Sequence, residues 1–574
     1  MQAIKNLYNK SLIQIFDLPN FILQACEARL QYKIRDIEKE LMTASHLWWR
    51  DGVIYQIYPR SFMDSNQDGF GDLAGITSRL DYLADLGIEG IWLSPIYPSP
   101  DIDHGYDISD YRAIDPRYGS LDAFDHLVKE AHARGLKIIM DMVMNHTSDQ
   151  HPWFAASRIS RNNPYHDWYL WRDPRPSRKL PNNWQSIFGG SGWKFEPAVG
   201  KYYFHMFSEH QPDLNWRNPQ VRQTMLDNYR FWLERGVDGF RLDVFNACFK
   251  DANFQNNPLK IGLYGFDQQK HIYDIDQPEM LPLLAELRAM LDAYPERYAV
   301  GETFLGGPEK AALYSGPNLL HAAFNFDFMK SAWRPRQFLR AIQQWEQSLS
   351  PETWPTWVLN NHDVSRSASR YGRSEEDERL KGTAALLLTQ RGTPFIYYGE
   401  EIGMRDIPLK REQVQDPVGK RFWPFYKGRD ACRGPMQWDD TTYAGFSPAG
   451  PWLPVHPDYL SRNVVAQKCD LDSLYYFYRS LIQLRKKYAV LRDGMFLPLT
   501  YDPRTLIAYL RQSKEQTILV AVNFIRRPNR LALGGDLLRA SWKILLTSSS
   551  KTQPEIHNGL LHLDANEVCI LIQQ

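Results

Sequence analysis

From Val53 to about residue 494, short β-rich runs alternate with charged stretches of helical period, eight times in succession. The strand candidates are VIYQIYP (53–59), GIEGIWLSP (87–95), GLKIIMDMV (135–143) and GVDGFRLDV (236–244), followed by YAVGET (298–303), HAAFNFDF (321–328), TWVLNNHD (356–363) and TPFIYYGEE (393–401). Stretches such as SRLDYLADLG and LDAFDHLVKEAHARG lie between them and carry a helical period. Eight strand–helix units in series predict an α/β chain folded as a (β/α)8 barrel. A doubly wound sheet is the competing arrangement, but no G-x-G-x-x-G follows any candidate strand.

The rhythm breaks at both ends and once inside. Between the third and fourth strands, residues 147–212 are rich in Trp, Asn, Pro and Gly, which predicts an inserted subdomain. The barrel then comprises residues 47–146 and 213–494, closed by the helical stretch SLYYFYRSLIQLRKKY. Beyond 495, the runs LIAYLRQ, QTILVAVNF and EVCILIQQ are separated by turns and predict a C-terminal antiparallel β-sandwich over 495–574. Residues 1–46 read as an N-terminal extension without a secretory cleavage pattern.

Composition excludes several classes of function. Lys plus Arg and Asp plus Glu are both 67, so the net charge is zero and neither nucleic acid nor an anionic membrane is favoured as a partner. No apolar run is long enough to span a bilayer. Five cysteines without C-x-x-C spacing argue against a disulfide framework or zinc site and for a reducing, cytoplasmic compartment.

The run GVDGFRLDV carries Arg241 and Asp243 two residues apart, on one side of a strand. Charge in a dry strand core is costly, so both are expected at a strand end facing a ligand. Barrel active sites lie at the C-terminal strand ends. There the third strand offers Asp141, Asn145 and His146, the fifth Glu302, and the seventh His362 and Asp363. Three carboxylates gathered around one mouth suit glycoside cleavage, in which one carboxylate attacks the anomeric carbon and another protonates the leaving oxygen. Arg241 is expected to lower the pKa of Asp243 and keep it ionised, while neighbouring carboxylates keep a proton on Glu302. The same carboxylates could hold a catalytic divalent metal, but the arginine beside Asp243 would repel it.

With DMVMNH (141–146), QPDLNW (211–216), GFRLDV (239–244), GETF (301–304) and NNHD (360–363) in order, the chain resembles glycoside hydrolase family 13, the α-amylase superfamily, and within it the oligo-1,6-glucosidase and α-glucosidase branch. The resemblance runs from Trp48 to the C-terminus. It implies Asp243 as nucleophile, Glu302 as general acid/base and Asp363 as stabiliser of the distorted sugar ring. His146 and His362 would hydrogen-bond the same glucose, with Arg241 orienting Asp243. DIDHGYDISDY implies Asp103 binding the non-reducing glucose and Tyr106 stacking under it. RDACRGPMQWD implies Arg433, in preference to Arg429, as the ion-pair partner of Asp103, walling off the pocket for exo-action.

The implied activity is a retaining α-glucosidase acting on a small α-glucoside, with no organic cofactor. Val244, directly after the nucleophile, leans toward α-1,6 linkages by narrowing the leaving-group side. Transglycosylation or isomerisation of sucrose, maltose or trehalose shares the same intermediate and stays open as an alternative. A non-catalytic barrel scaffold is disfavoured because all three carboxylates are kept. In DSNQDGFGDL, oxygen donors recur at Asp64, Asn66, Asp68 and Asp72, with the Phe70 carbonyl between them. This spacing suits Ca2+ and resembles the branch's structural calcium loop.

Overall fold

The computed structural model describes residues 46–372, 377–500, 503–549 and 554–574. The expected N-terminal extension, apart from His46, lies outside the described residues.

All eight expected strands form, and all pair in parallel. They are β1 (Ile54–Ile57), β2 (Gly90–Leu93), β3 (Lys137–Val143), β4 (Gly239–Asp243), β5 (Tyr298–Glu302), β6 (Ala322–Phe324), β7 (Thr356–Val358) and β8 (Thr393–Tyr397). The ladder runs β7-β8-β1-β2-β3-β4-β5-β6, so the sheet curls into a barrel whose seam lies between β6 and β7. There the Thr356 hydroxyl donates to the Ala323 carbonyl at 2.9 Å, a side-chain bridge where a backbone ladder would otherwise run. Each strand is shorter than its predicted run, yet β4 and β5 still include Asp243 and Glu302 as their last residues.

Alternation within the strands explains both barrel faces. Ile54, Trp92, Ile139, Tyr298, Val300, Phe324, Val358 and Phe395 point inward and form a closed apolar plug. Their neighbours, such as Tyr55, Ile91, Ile138, Phe240 and Leu242, point outward into the cluster shared with the surrounding helices. One step along the same inward face, at the C-terminal ends, stand Gln56, Asp141, Arg241 and Glu302. Register pairs Asp141 with Arg241 on adjacent strands. The polar layer rests directly on the plug, with the Arg241 guanidinium 5.1 Å from the centre of the Trp92 ring.

The chain between β3 and β4 forms a small antiparallel sheet of Trp171–Arg172, Lys201–Phe204 and Trp193–Glu196. Its apolar side, including Trp184, Trp193 and Phe204, shares one cluster with Val244, Ala247, Phe254 and Ile275. The long loop after β4 is thus packed onto the insert. The C-terminal region stacks a five-stranded antiparallel sheet on a three-stranded one. Its strands alternate as expected: Leu506, Ala508, Leu510, Leu519 and Ala521 meet Leu531, Leu561 and Leu563 between the sheets. The opposite face of the larger sheet, with Ile507, Tyr509, Val520 and Val522, joins the core under the barrel helices.

Candidate active site

Arg241 organises the floor of the barrel mouth. Its Nη1 donates to Asp243 Oδ1 at 2.6 Å and to Asp141 Oδ1 and Oδ2 at 2.8 and 3.0 Å, while Nη2 donates to Glu302 Oε2. Asp141 is held further by Trp92 Nε1 at 3.2 Å and the Tyr106 hydroxyl at 3.1 Å. Three carboxylates from three adjacent strands are therefore brought to one guanidinium. A backbone detail makes this possible. A Cβ on Gly301 would lie 2.4 Å from the Phe245 ring, so only glycine lets β5 carry Glu302 this close to the turn after Asp243. In that turn Val244 holds φ 40° and ψ 35°, a left-handed conformation costing a β-branched residue about 1–3 kcal/mol.

Asp363 stands on the other side of the mouth. Arg433 Nη2 donates to its Oδ1 at 2.9 Å and Arg429 Nη1 at 3.4 Å. His362 is fixed by Gln56 Nε2 at 2.9 Å and Tyr106 Oη at 2.8 Å, with the Tyr106 ring stacked on it at 5.2 Å. His146 Nε2 lies 3.0 Å from the Tyr106 carbonyl and 3.1 Å from Gln211 Nε2. Asp103, Tyr106, His146, Asp243, Val244, Glu302, His362 and Asp363 all line one cavity of about 620 Å³.

The electrostatics differ from expectation at Asp243. Burial raises its carboxyl well above the usual carboxylate range; Arg241 opposes this, and Glu302 and Asp141 reinforce it. Arg241 does pull it down, as expected, but burial, reinforced by the neighbouring carboxylates, outweighs that pull. Glu302 is raised too, by burial and by repulsion from Asp363 and Asp141, against the pull of Arg241. With more acids than bases on the floor, Asp243 and Glu302 are both pushed toward the protonated form, and their titrations are linked. At Asp363 burial also works upward, but His362 when protonated, Arg429 and Arg433 outweigh it and hold the carboxyl below the usual range. Burial lowers His362 to about 3, so its ring is neutral at neutral pH.

The ion pair expected between Asp103 and Arg433 is corrected. Arg429 Nη2 reaches Asp103 Oδ1 at 2.6 Å, and Gln211 Nε2 holds Oδ2 at 3.0 Å. Arg429 precedes the short helical turn Asp430–Arg433 and is braced by Asp416 Oδ1 at 2.6 Å, which aims it across the mouth. Arg433 ends that turn with Nε on the His362 carbonyl at 2.7 Å, and is committed to Asp363. Sequence reasoning also passed over Asp416 and Lys250. Lys250 is buried with Nζ 2.7 Å from Asp213 Oδ2 and 2.9 Å from Asn145 Oδ1, which ties the QPDLNW segment to the end of β3. A lysine seven residues after Asp243, beside a motif acid, was the available signal.

The 64–72 loop is closed by its own hydrogen bonds. Asp64 accepts from the amides of Asn66, Gln67 and Gly69 and from the Ser447 hydroxyl. Asp68 accepts from the Phe70 amide, and Asp72 accepts from Ser65 and caps the next helix through Gly75. Among the described residues, no three His, Cys, Asp or Glu side chains converge as a metal-binding group. No helix among them is long and apolar enough to cross a membrane.

The family model for the alpha amylase catalytic domain matches residues 56–494. The chain is 42% identical over 506 residues to the probable alpha-glucosidase of Rhizobium meliloti (strain 1021), spanning 85% of this chain and 92% of that protein. It is 38% identical over 543 residues to the oligo-1,6-glucosidase of Parageobacillus thermoglucosidasius, spanning 89% and 96% respectively. Among solved structures, the alpha-glucosyl transfer enzyme XgtA matches with a TM-score of 0.87 at 40% identity, over 92% of this chain and all of that one (100%). A barrel whose mouth gathers these carboxylates, and likeness of this extent, make the chain a member of the α-amylase family, glycoside hydrolase family 13, on its α-glucosidase branch.

Proposed function

We propose that this protein is a retaining, exo-acting α-glucosidase that releases terminal glucose from short α-linked oligosaccharides. The observation that carries this reading is the single guanidinium of Arg241 spanning Asp243 and Glu302 at the floor of a cavity bounded by the Asp103–Arg429 pair. In the first step Asp243 Oδ attacks the anomeric carbon while Glu302 gives its proton to the departing oxygen. Pairing with Arg241 favours the charged form of Asp243 as the proton shifts toward Glu302. In the second step Glu302, now charged, takes a proton from water, whose oxygen displaces Asp243. Asp363, kept ionised by its two arginines, faces the positive charge that develops on the ring. Neutral His362, along with His146, offers hydrogen bonds to sugar hydroxyls without competing for the acid's proton.

Asp103 and Arg429 would bind the outer hydroxyls of the terminal glucose and stop a chain from passing through, which makes the action exo. Val244, buried beside Asp243 in a strained turn, supports the lean toward α-1,6 linkages. Hydrolysis rates across isomaltose, maltose, sucrose and trehalose, with the anomer of released glucose followed by NMR, test the reading. Release of α-glucose is the expected result, and β-glucose would refute retention.

The same reading places a structural Ca2+ at Asp64, Asn66, Asp68, Asp72 and the Phe70 carbonyl. The oxygen donors suit a hard cation, but Asp64, Asp68 and Asp72 are engaged in the loop's own hydrogen bonds and do not converge, so binding would require them to turn toward one point. Gln67 and Gly69, at φ 70° and 89°, bend the loop into a tight turn. An ion there would stiffen the loop and take no part in bond cleavage. Chelation should lower the thermal midpoint and added Ca2+ should restore it; an unchanged midpoint would leave the loop to its hydrogen bonds alone. A cytoplasmic location is supported by Cys248, Cys432, Cys469 and Cys569, all free thiols.

A further inference from the structure

A second groove is built entirely from the chain that follows β8. It encloses about 710 Å³ and shares no lining residue with the catalytic cavity. Trp452, half-buried in its lining, is fixed from three sides. The Trp452 amide donates to the Gly69 carbonyl and its Nε1 to Ser61 Oγ, each at 3.0 Å, and the Arg60 guanidinium lies 5.0 Å from the ring centre. Tyr443 and Tyr459 line the groove with it. Tyr443 is kept outward at a cost. It and Ala444 hold φ 54° and 61°, both left-handed, in the turn Thr442–Gly445, and such a residue costs about 1–3 kcal/mol. The turn buries the Ala444 methyl completely and leaves the Tyr443 ring 39% exposed. Burial alone would select the reverse, because the tyrosine carries more apolar surface.

The polar groups of the groove say what it takes. The Glu412 carboxylate, the Gln415 amide and the hydroxyls of Thr442, Tyr443 and Tyr459 border it, and none of them bonds to another of the described residues. Glu412 is the single charged residue in the lining, so an anion finds no counter-charge there and a metal finds too few ligands. An apolar partner would strip these groups of water and leave them unpaired, at about 1–3 kcal/mol each. A pyranose presents hydroxyls round its edge and C–H groups on its faces, which answers both the free polar groups and the rings. We propose that this groove is a second, non-catalytic saccharide site that takes a short, neutral oligosaccharide. Trp452 also meets the His104 ring at 5.6 Å and the Tyr58 ring at 6.3 Å, and Tyr58 stacks on His362 at 6.0 Å. One layer of rings therefore stands between the groove and the catalytic pocket. The assignment rests on the chemistry of the groove itself and not on cleavage at Asp243.

Binding stoichiometry tests it. Asp243→Asn excludes turnover, and equilibrium dialysis against labelled isomaltose or maltotriose then counts the sugars held per chain. Two per chain is the expected result. On the same background, Tyr443→Ser and Gln415→Ala should weaken one of the two sites, by about tenfold and about fivefold respectively, and leave the other unchanged. Both side chains reach solvent and are free of bonds, so neither change threatens the fold. With Asp243 in place, neither should alter kcat/KM on disaccharides. One sugar per chain that both variants leave in place overturns the proposal and leaves the glucosidase reading standing. One sugar whose binding both variants weaken keeps the groove and removes the glucosidase reading. Two sites that both variants leave unmoved, or no binding at all, also overturn the proposal.

Discussion

Arg429 donates from Nη2 to Oδ1 of Asp103 across 2.6 Å, joining two loops 326 residues apart in the chain. Both side chains are largely buried, at 14% and 6% exposure, and Asp416 holds the same guanidinium from behind. A pair in such surroundings is worth far more than one at the surface, because removing one member strands the other. Asp103→Ala and Arg429→Ala should each reduce kcat/KM on disaccharides by about 100-fold or more, and the double variant should be little worse than either. A double-mutant cycle measures this coupling. Coupling of Asp103 to Arg433 in place of Arg429 would contradict the assignment.

Asp243 and Glu302 should separate by their response to the leaving group. Asp243→Asn removes the attacking oxygen and should lower kcat by at least about 1,000-fold on every substrate. Glu302→Gln should cost about 100- to 10,000-fold on disaccharides but much less on a nitrophenyl α-glucoside, whose leaving group needs no proton. Steady-state kinetics on both substrate types decides the roles, and equal losses on both would remove Glu302 as the acid.

Lys250 and Asp213 are both fully buried, and Lys250 Nζ also reaches Asn145. Lys250→Met strands the Asp213 carboxylate and should cost about 3–5 kcal/mol of stability. Adding Asp213→Asn should recover much of that loss. Chemical denaturation of the three proteins would show it; a single variant as stable as the native chain would mean that the pair contributes nothing.

Glu400 lies buried just beyond the end of β8, accepting from Asn360 Nδ2 and from the Tyr478 hydroxyl, the latter at 2.9 Å. Burial, opposed by these hydrogen bonds, raises its carboxyl from 4.5 to about 7. The folded form therefore keeps a proton that the unfolded chain loses above its lower pKa. Stability from this group is full below about pH 4.5, falls as pH rises toward 7 and is level beyond. The total change is on the order of 3 kcal/mol. Glu400→Gln should flatten the pH dependence of the unfolding free energy across that window, and an unaltered slope would assign the dependence to other groups.

Much of the barrel was legible locally. Each strand shows alternation or an apolar run over fewer than ten residues, and each ends in polar groups that cannot remain in a dry plug. The catalytic candidates were legible for the same reason: Arg241 and Asp243 in one strand, Glu302 and Asp363 each at a strand end. The gathering of loops around the mouth was far less visible. Residues 250–276 have neither helical nor strand period, and contact with the insert, with the chain after β5 and with the loop after β8 gives them a place.

The chain itself determined the eight strand–helix units, the two faces of each strand and the acids that cap them, because these depend on spacing between near neighbours. Tertiary structure alone decided that Arg429 and not Arg433 meets Asp103, and that burial outweighs the pull of Arg241 on Asp243. Those outcomes depend on which distant side chains approach within a few ångströms and on how much water is excluded there. Neither distance nor dielectric is written in the order of residues.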